Sequence, residues 1–157
     1  MSNTDAKQSL YLEDLYVGRR FKSGEHAVDA PQINAFAAAF DPQPFHLDEA
    51  AAAKSPFRGL AASGWHTAAL TMKLNVASLP IAGGVLGLSG DLAWPAPVRP
   101  GDVLHVESEV VEMIPSRSRP DRGVVVVRSE TRNGRGEVVQ LTTMKLLVSR
   151  RPVGTPG

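Results

Sequence analysis

The sequence predicts an α+β fold in which a long antiparallel β-sheet is wrapped around one central α-helix. Three observations predict this arrangement. Apolar residues recur at helical spacing in the first half of the chain, extended and alternating segments fill the second half, and one helix is apolar on almost every side. With 157 residues, of which 43% are apolar, the chain is long enough to bury a single core of its own.

The first half starts with a strand predicted over residues 20–28. Asp29 then precedes a helix as its N-cap, because Gln32 lies three residues further on, as in a capping box, and Pro31 stands in the first turn. Prolines end this helix, and a short alanine-rich helix is predicted over residues 48–54. The apolar side of the first helix consists of Ile33, Phe36, Ala37 and Phe40.

The central helix is predicted over residues 63–77, with Ser63 or Gly64 placed to cap it. Few of its positions are polar, mainly Lys73 and Asn75. A helix with so little polar surface is expected to be buried. One of its faces is formed by Trp65, Ala69, Met72 and Val76.

The second half reads as four strands that form the antiparallel sheet. The second of them alternates, with Leu104, Val106 and Val110 on one face and polar residues on the other. The segment 133–136, Asn-Gly-Arg-Gly, is a strong hairpin signal between the last two strands. Such a sheet can extend across a dimer, which also protects an exposed edge. The predicted strands cover residues 83–94, 102–114, 123–132 and 137–148.

The chain ends and the composition restrict what the protein does. Residues 1–10 and 150–157 are expected to be flexible, and residues 11–149 to form a single domain. No secretory signal and no membrane-spanning apolar run is visible, which predicts a cytoplasmic protein without a membrane partner. A net charge of +1 gives no basic field for nucleic acid. No cysteine is present and the histidines are scattered, so no metal site is expected.

The loop after the first helix carries the chemistry. Asp41 and His46 lie five positions apart, and two prolines restrict the loop between them. A carboxylate can orient water or accept a proton, and an imidazole exchanges protons near neutral pH. The same residues also fit a structural role, in which Asp41 caps a turn and His46 is partly buried in the loop. Spacing alone favours that structural role.

The segment 41–48, Asp-Pro-Gln-Pro-Phe-His-Leu-Asp, resembles the hydratase motif of the MaoC-like dehydratases, the family of (R)-specific enoyl-CoA hydratases. That motif reads Asp, any residue, Asn, Pro, an apolar residue, His, any residue, and Asp or Ser. Residues 59–64 are similar to the family's entry into its central helix, and residues 98–102 to its turn into the next strand. The resemblance spans most of the chain, about residues 11–148.

This resemblance implies a hot-dog fold, a homodimer or higher homo-oligomer, and an acyl-CoA substrate. The implied reaction is the reversible syn hydration of a trans-2-enoyl-CoA to an (R)-3-hydroxyacyl-CoA, with Asp41 and His46 as the catalytic pair. The backbone N–H of Gly64 is the implied donor to the thioester carbonyl, as suits a helix N-terminus. No cofactor is implied besides the coenzyme A of the substrate.

Two positions depart from the family pattern. Gln43 stands where the family usually has Asn, and Ser63 stands where many hydratases have His. Both are expected near the substrate, and Ser63 can cap the helix or donate a hydrogen bond. Two other functions stay open. One is a hot-dog acyl-CoA thioesterase, in which a carboxylate directs water at the thioester carbonyl, and the other is a non-catalytic acyl-thioester-binding subunit.

Further side chains are candidates for substrate contacts. Trp65, Met72 and Trp94 either line an acyl tunnel or belong to the core. His66 is expected to be a satisfied core histidine. Cationic contacts to the phosphates of coenzyme A are candidates at Lys54, Arg58 and Arg99.

Overall fold

The computed structural model of the chain describes residues 8–154. Its sheet has the strand order β1-β4-β5-β6-β3, every neighbouring pair is antiparallel, and the short β2 also pairs with β4. This arrangement with α4 packed against it is the predicted α+β hot-dog fold, which is confirmed. The elements are a 3-10 turn at Leu12–Asp14, β1 (Arg20–Lys22), β2 (His26–Ala27), α1 (Ala30–Phe40), α2 (Pro44–Leu47), α3 (Glu49–Ala53), α4 (Gly64–Ser78), β3 (Leu86–Ala93), β4 (Val103–Pro115), β5 (Arg122–Arg132) and β6 (Val138–Ser149).

The predicted first strand is divided into β1 and β2, which both pair with β4. Ser23 lies at the break. Its N–H donates to the Val106 carbonyl at 2.9 Å, but its hydroxyl oxygen, rather than a backbone carbonyl, accepts the Val106 N–H at 2.7 Å. A side chain therefore replaces one backbone partner of the ladder, and the strand is interrupted there.

Helix α1 begins as the capping pattern predicts. The Asp29 carboxylate accepts the Gln32 N–H at 2.9 Å. The side chain of Gln32 does not return to Asp29; it contacts His26 Nε2 at 2.8 Å and donates to the Ala27 carbonyl at 3.1 Å. Ile33 and Ala37 are fully buried, whereas Phe40, at the end of the predicted apolar side, is 73% exposed.

Helix α4 also begins where it is predicted to, with the Ser63 hydroxyl accepting the Trp65 N–H at 3.2 Å. The prediction that this helix is buried nearly all round is wrong for a single chain. Trp65, Met72 and Val76 are 59%, 41% and 53% exposed. The reason is that the sheet covers only one side of the helix, and that side includes buried threonines as well as leucines.

The strand predictions agree with the structure. Leu104, Val106 and Val110 of β4 are at most 1% exposed. The hairpin between β5 and β6 is closed by Asn133, whose side-chain oxygen accepts the N–H groups of Arg135 and Glu137, each at 3.0 Å. Local alternation and turn chemistry thus suffice to locate these strands.

The chain ends are described in part. Residues 1–7 and 155–157 of the predicted flexible ends lie outside the described residues. Within the remainder, the Leu10 N–H donates to the Pro80 carbonyl at 2.7 Å, and the Arg151 guanidinium contacts both carboxylate oxygens of Asp14 at 2.7 and 3.0 Å. The domain limits 11–149 stay a prediction.

Two apolar clusters form the core. One lies between α1, α4 and β4, and places α4 beside the loop that follows α1. The other lies where the residues before β1 cross β5 and β6. The first contains Val28, Ile33, Leu70, Leu74, Leu104 and Val139, and the second Leu10, Leu12, Leu15, Val110, Val125 and Leu146.

Candidate active site

Tight local hydrogen bonding brings Asp41 and His46 together. Asp41 lies at the end of α1, where its N–H donates to the Ala37 carbonyl at 2.9 Å. The Asp41 carbonyl in turn accepts the Gln43 N–H at 2.7 Å. Pro44 then starts the single turn α2, which carries His46. As a result, Oδ2 of Asp41 lies 3.3 Å from Nε2 of His46.

The imidazole of His46 is fixed on its other side. Nδ1 lies 2.6 Å from the carbonyl oxygen of Ala61, and the residue is 3% exposed. A carbonyl only accepts, so Nδ1 carries a proton. Nε2 faces Asp41, and it has a lone pair when the ring is neutral and an N–H when the ring is protonated. The edge of the ring also meets Phe45, at a centroid distance of 4.6 Å. The tautomer and orientation of His46 are therefore set by the loop around it.

The carboxylate of Asp41 has its own donors. The Ser63 hydroxyl donates to Oδ2 at 2.7 Å, and the Gln43 side-chain amide donates to Oδ1 at 2.5 Å. Burial acts to raise the pKa of Asp41, but the hydrogen bonds from Ser63 and Gln43 and the charge of His46 together lower it below its ordinary value. Asp41 is therefore a carboxylate at neutral pH.

The two residues that depart from the family pattern both contact Asp41. Ser63 and Gln43 hold its two oxygens, which restricts rotation of the carboxylate. The structure thus brings together four of the predicted site residues: Asp41, His46, Gln43 and Ser63. The structural alternative, in which Asp41 merely caps a turn, does not account for its contact with Ser63, 22 residues away.

Gly64 lies next to Ser63 at the start of α4. The Ser63 oxygens accept the next three N–H groups of the helix, those of Trp65, His66 and Thr67. The Gly64 N–H has no hydrogen-bond partner among residues 8–154. This donor is available to a ligand, as expected at a helix N-terminus.

The indole of Trp94 packs on the start of α4. A Cβ atom at Gly64 would lie 2.7 Å from that ring, so only glycine allows this approach. The ring nitrogen of Trp94 donates to the side-chain oxygen of Gln140 at 2.9 Å, and Gln140 is 1% exposed. Gln140 was not predicted as a site residue; a glutamine at an inward position of a β-strand is the signal that points to it.

The core alternative for Trp65, Met72 and Trp94 is wrong for a single chain. Their exposed fractions are 59%, 41% and 42%. Trp65 lies edge-on to Trp94 at a centroid distance of 5.4 Å. The two tryptophans therefore form an exposed aromatic pair beside Gly64, rather than part of the buried core.

Arg99 braces the loop before α4. Its guanidinium donates to the carbonyls of Gly59 at 2.8 Å, Leu60 at 3.3 Å and Phe57. These bonds give Arg99 a structural role, and its predicted contact with coenzyme A phosphates stays a prediction. Lys54 and Arg58 are exposed, and their phosphate contacts stay predictions.

His66 lies on the inner side of α4 and is 6% exposed, as predicted for a core histidine. Its ring stacks on Phe36 at 4.6 Å, with an angle of 5° between the planes. It is not fully satisfied, because Nδ1 has no hydrogen-bond partner in the described part of the chain. Burial, and after it the charge of His26, lower the pKa of His66, so the ring is neutral at neutral pH.

Two further observations concern the whole described chain. No cluster of three or more His, Asp or Glu side chains suited to a metal ion occurs within residues 8–154. Over the same residues, no helix has the length and hydropathy needed to cross a membrane.

Comparisons with known proteins agree with this fold. The family model described as MaoC like domain matches residues 16–133. A 3-hydroxybutyryl-CoA dehydratase of Methylorubrum extorquens is 38% identical over 115 residues, which cover 70% of this chain and 69% of that protein. The crystal structure of a MaoC-like dehydratase from Rhodospirillum rubrum has 60% identity and a TM-score of 0.91, covering 92% of this chain and all of that one.

A more distant solved structure shares the fold as well. The (R)-hydratase from A. caviae, which is involved in PHA biosynthesis, has a TM-score of 0.71 and 26% identity, and the match covers 89% of this chain and 99% of that one. The family match extends over most of the chain and includes the Asp41–His46 loop and the start of α4. The chain therefore belongs to the MaoC-like dehydratase family.

Proposed function

We propose that this protein catalyses the reversible syn hydration of a trans-2-enoyl-CoA to an (R)-3-hydroxyacyl-CoA. The observation that carries the proposal is the pair of proton acceptors, Asp41 Oδ2 and His46 Nε2, which lie 3.3 Å apart. Hydrogen bonds with Ser63 and with the Ala61 carbonyl fix the orientation of the two side chains. The similarity to a 3-hydroxybutyryl-CoA dehydratase and to an (R)-hydratase supports the same reaction.

The geometry of the pair suits one water molecule. A water about 2.8 Å from both acceptors donates one hydrogen to Asp41 and the other to His46. Its lone pairs then point away from the protein, toward the β-carbon of the substrate. As the oxygen attacks, the pair takes one proton from the water and delivers one to the α-carbon. Both transfers occur on the same face of the substrate, so the addition is syn.

The Gly64 N–H completes the proposed site. Attack at the β-carbon moves negative charge onto the thioester oxygen, and a donor aimed at that oxygen stabilises the enolate. The N–H of Gly64 is unpartnered in the described chain, and its neighbour Ser63 contacts Asp41 directly. One helix end thus carries both the carbonyl donor and a support for the catalytic carboxylate.

We also propose that the working form is a homodimer. All residues of β3 are exposed, and within residues 8–154 this strand pairs only with β6, so an edge of the sheet is open. Apolar side chains that a monomer would leave in water lie on β3 and on the outer side of α4. They include Leu86, Leu88, Leu92, Trp65, Met72 and Val76.

The proposal is tested with purified protein and crotonyl-CoA. We expect the absorbance of the enoyl thioester to fall, with (R)-3-hydroxybutyryl-CoA as the product and no release of free thiol. Asp41→Asn is expected to remove this activity. Asp29→Asn is the matched control, because Asp29 caps α1 and asparagine is an equally good N-cap.

The other outcomes identify the alternatives. Release of free coenzyme A in place of hydration would identify a thioesterase. Binding of a panel of short, long and branched enoyl-CoA esters without turnover of any would identify a non-catalytic binding subunit. Equal activity of Asp41→Asn and wild type would remove Asp41 from the mechanism.

A further inference from the structure

The inner side of α4 meets the sheet through a line of polar side chains. We call this line the polar seam; it consists of Thr71, Asn75, Ser108, Ser129 and Thr131. Four of the five side chains are at most 5% exposed, and Asn75 is partly buried. Directional hydrogen bonds therefore occupy part of an interface that packing usually fills with apolar groups.

At one end of the seam, two threonines join α4 to β5. The Thr71 hydroxyl donates to the Thr67 carbonyl at 2.8 Å and lies 2.6 Å from the Thr131 hydroxyl. Since a hydroxyl has one proton, Thr131 must be the donor to Thr71. The proton directions are thus settled, and both hydroxyls have partners.

At the other end, three side chains from α4, β4 and β5 form a closed ring of hydrogen bonds. The Ser108 hydroxyl donates to Asn75 Oδ1 at 3.1 Å, and the Asn75 amide donates to the Ser129 oxygen at 3.3 Å. The two serine oxygens are 2.8 Å apart. Because the Ser108 proton is directed to Asn75, the Ser129 hydroxyl is the donor to Ser108. Each member donates once and accepts once.

The spacing of the two contact points along α4 matches the spacing of their partners along β5. Thr71 and Asn75 are one helical turn apart, about 6 Å along the axis at 1.5 Å per residue. Their partners Thr131 and Ser129 are two residues apart on β5, about 6.8 Å at the antiparallel rise. Both pairs are satisfied together only at one axial position of α4. A purely apolar contact lacks this directionality.

We infer that the polar seam sets the axial position of α4 on the sheet, and through it the position of Ser63 and Gly64 relative to Asp41. The five seam residues are then positioning residues for the proposed hydration, on which this inference rests. The helix is continuous from Gly64 to Ser78, so a shift at Thr71 is passed on to its first turn. Such a shift weakens the 2.7 Å hydrogen bond from Ser63 to Asp41.

The test replaces the seam by apolar groups of similar shape. Two variants are made, Thr71→Val with Thr131→Val, and Asn75→Leu with Ser108→Ala and Ser129→Ala. Removing both partners of a buried hydrogen bond leaves stability nearly unchanged, so both variants are expected to fold with a Tm near that of wild type. We expect kcat on crotonyl-CoA to fall about tenfold with KM within about twofold, because small displacements of catalytic groups reduce the rate steeply.

A second readout separates positioning from general packing. Loss of the Ser63 hydrogen bond raises the pKa of Asp41, so the acid limb of kcat/KM is expected to move to higher pH. Thr71→Ser with Thr131→Ser keeps both hydroxyls and is expected to retain the wild-type kcat and pH profile. Ser78→Ala is the control, because in the described part of the chain that hydroxyl bonds only to carbonyls of its own helix, Leu74 at 2.9 Å and Asn75 at 3.4 Å.

Unchanged kcat and pH profile in both apolar variants would overturn the inference. Should wild type fail to hydrate crotonyl-CoA, the proposed function fails on its own, and the inference is still decided by NMR titration of the Asp41 carboxyl carbon. A higher pKa of Asp41 in the apolar variants supports the seam's role. The same pKa as in wild type rejects it.

Discussion

The two long sides of α4 carry different kinds of side chain. The buried side, which packs on the sheet and on α1, combines Leu70 and Leu74 with Thr67, Thr71 and His66. The side away from the sheet carries large apolar residues, Trp65, Met72 and Val76, each more than 40% exposed. An ordinary surface helix has the reverse distribution, with its polar side in water.

The different side chains indicate different roles for the two sides of α4. The polar inner side makes directional contacts, which we propose restrict where the helix lies and hold its N-terminus beside Asp41 and His46. The apolar outer side makes no such contacts within the described chain and is suited to burial against a second copy. The following predictions test the two sides and the site where the helix begins, from the largest expected effect to the smallest.

The largest effect is expected at the proposed catalytic pair itself. Asp41→Asn and His46→Asn are each expected to lower kcat by a factor of about 10² to 10⁴, the usual contribution of general acid–base catalysis. In His46→Asn the amide nitrogen stands close to the former Nδ1 and can still donate to the Ala61 carbonyl. The double variant is expected to be little worse than either single one, because the two residues act as a unit. Multiplying losses, measured with crotonyl-CoA, would show that they act separately.

A charge on the outer side of α4 is expected to separate the proposed dimer. Met72→Glu places a carboxylate among exposed apolar residues, and burying it without a partner is strongly unfavourable. Light scattering after size-exclusion chromatography is expected to give half the wild-type mass. Ala38→Glu adds the same charge at an exposed position of α1 and is expected to leave the mass unchanged. A dimeric Met72→Glu would move the interface away from this side of α4.

A smaller effect is expected where the helix meets Asp41. Ser63→Gly removes the hydroxyl that donates to Asp41, while glycine costs only a few tenths of a kcal/mol as an N-cap. The pKa of Asp41 is lowered by this bond, so its loss raises that pKa and moves the acid limb of kcat/KM to higher pH. Activity at neutral pH is expected to fall about tenfold, in line with loss of one hydrogen bond to a charged group. An unmoved acid limb would mean that Gln43 alone holds the carboxylate.

The smallest effect concerns His66 on the inner side. Burial and the charge of His26 lower its pKa in the folded state below the unfolded value of 6.5. The folded state therefore binds the proton less readily, and stability is complete above pH 6.5 and decreases as the pH falls below it. His66→Phe is expected to flatten the decrease of Tm between neutral pH and about pH 5. Parallel Tm curves for the two proteins would contradict this role of His66.

Local signals in the sequence are enough to predict the elements and the loop that carries the proposed catalytic pair. The Asp29 cap, the alternation of β4, the Asn133 turn and the proline-restricted loop from Asp41 to His46 all depend on residues within a few positions of one another. Hydrogen bonds and side-chain directions at that range follow from backbone geometry, so they can be predicted without knowledge of the fold. The family resemblance rests on the same local motifs.

Tertiary structure decides the rest, because the deciding partners are distant in the chain. Ser63 meets Asp41 across 22 positions, and Asn75 meets Ser108 and Ser129 across 33 and 54 positions. The spacing of apolar residues along α4 shows that the helix has an apolar side. It does not show that the sheet presents hydroxyl groups to the opposite side of the helix. Whether a helix side is buried depends on the surface it packs against, and only the folded sheet supplies that surface.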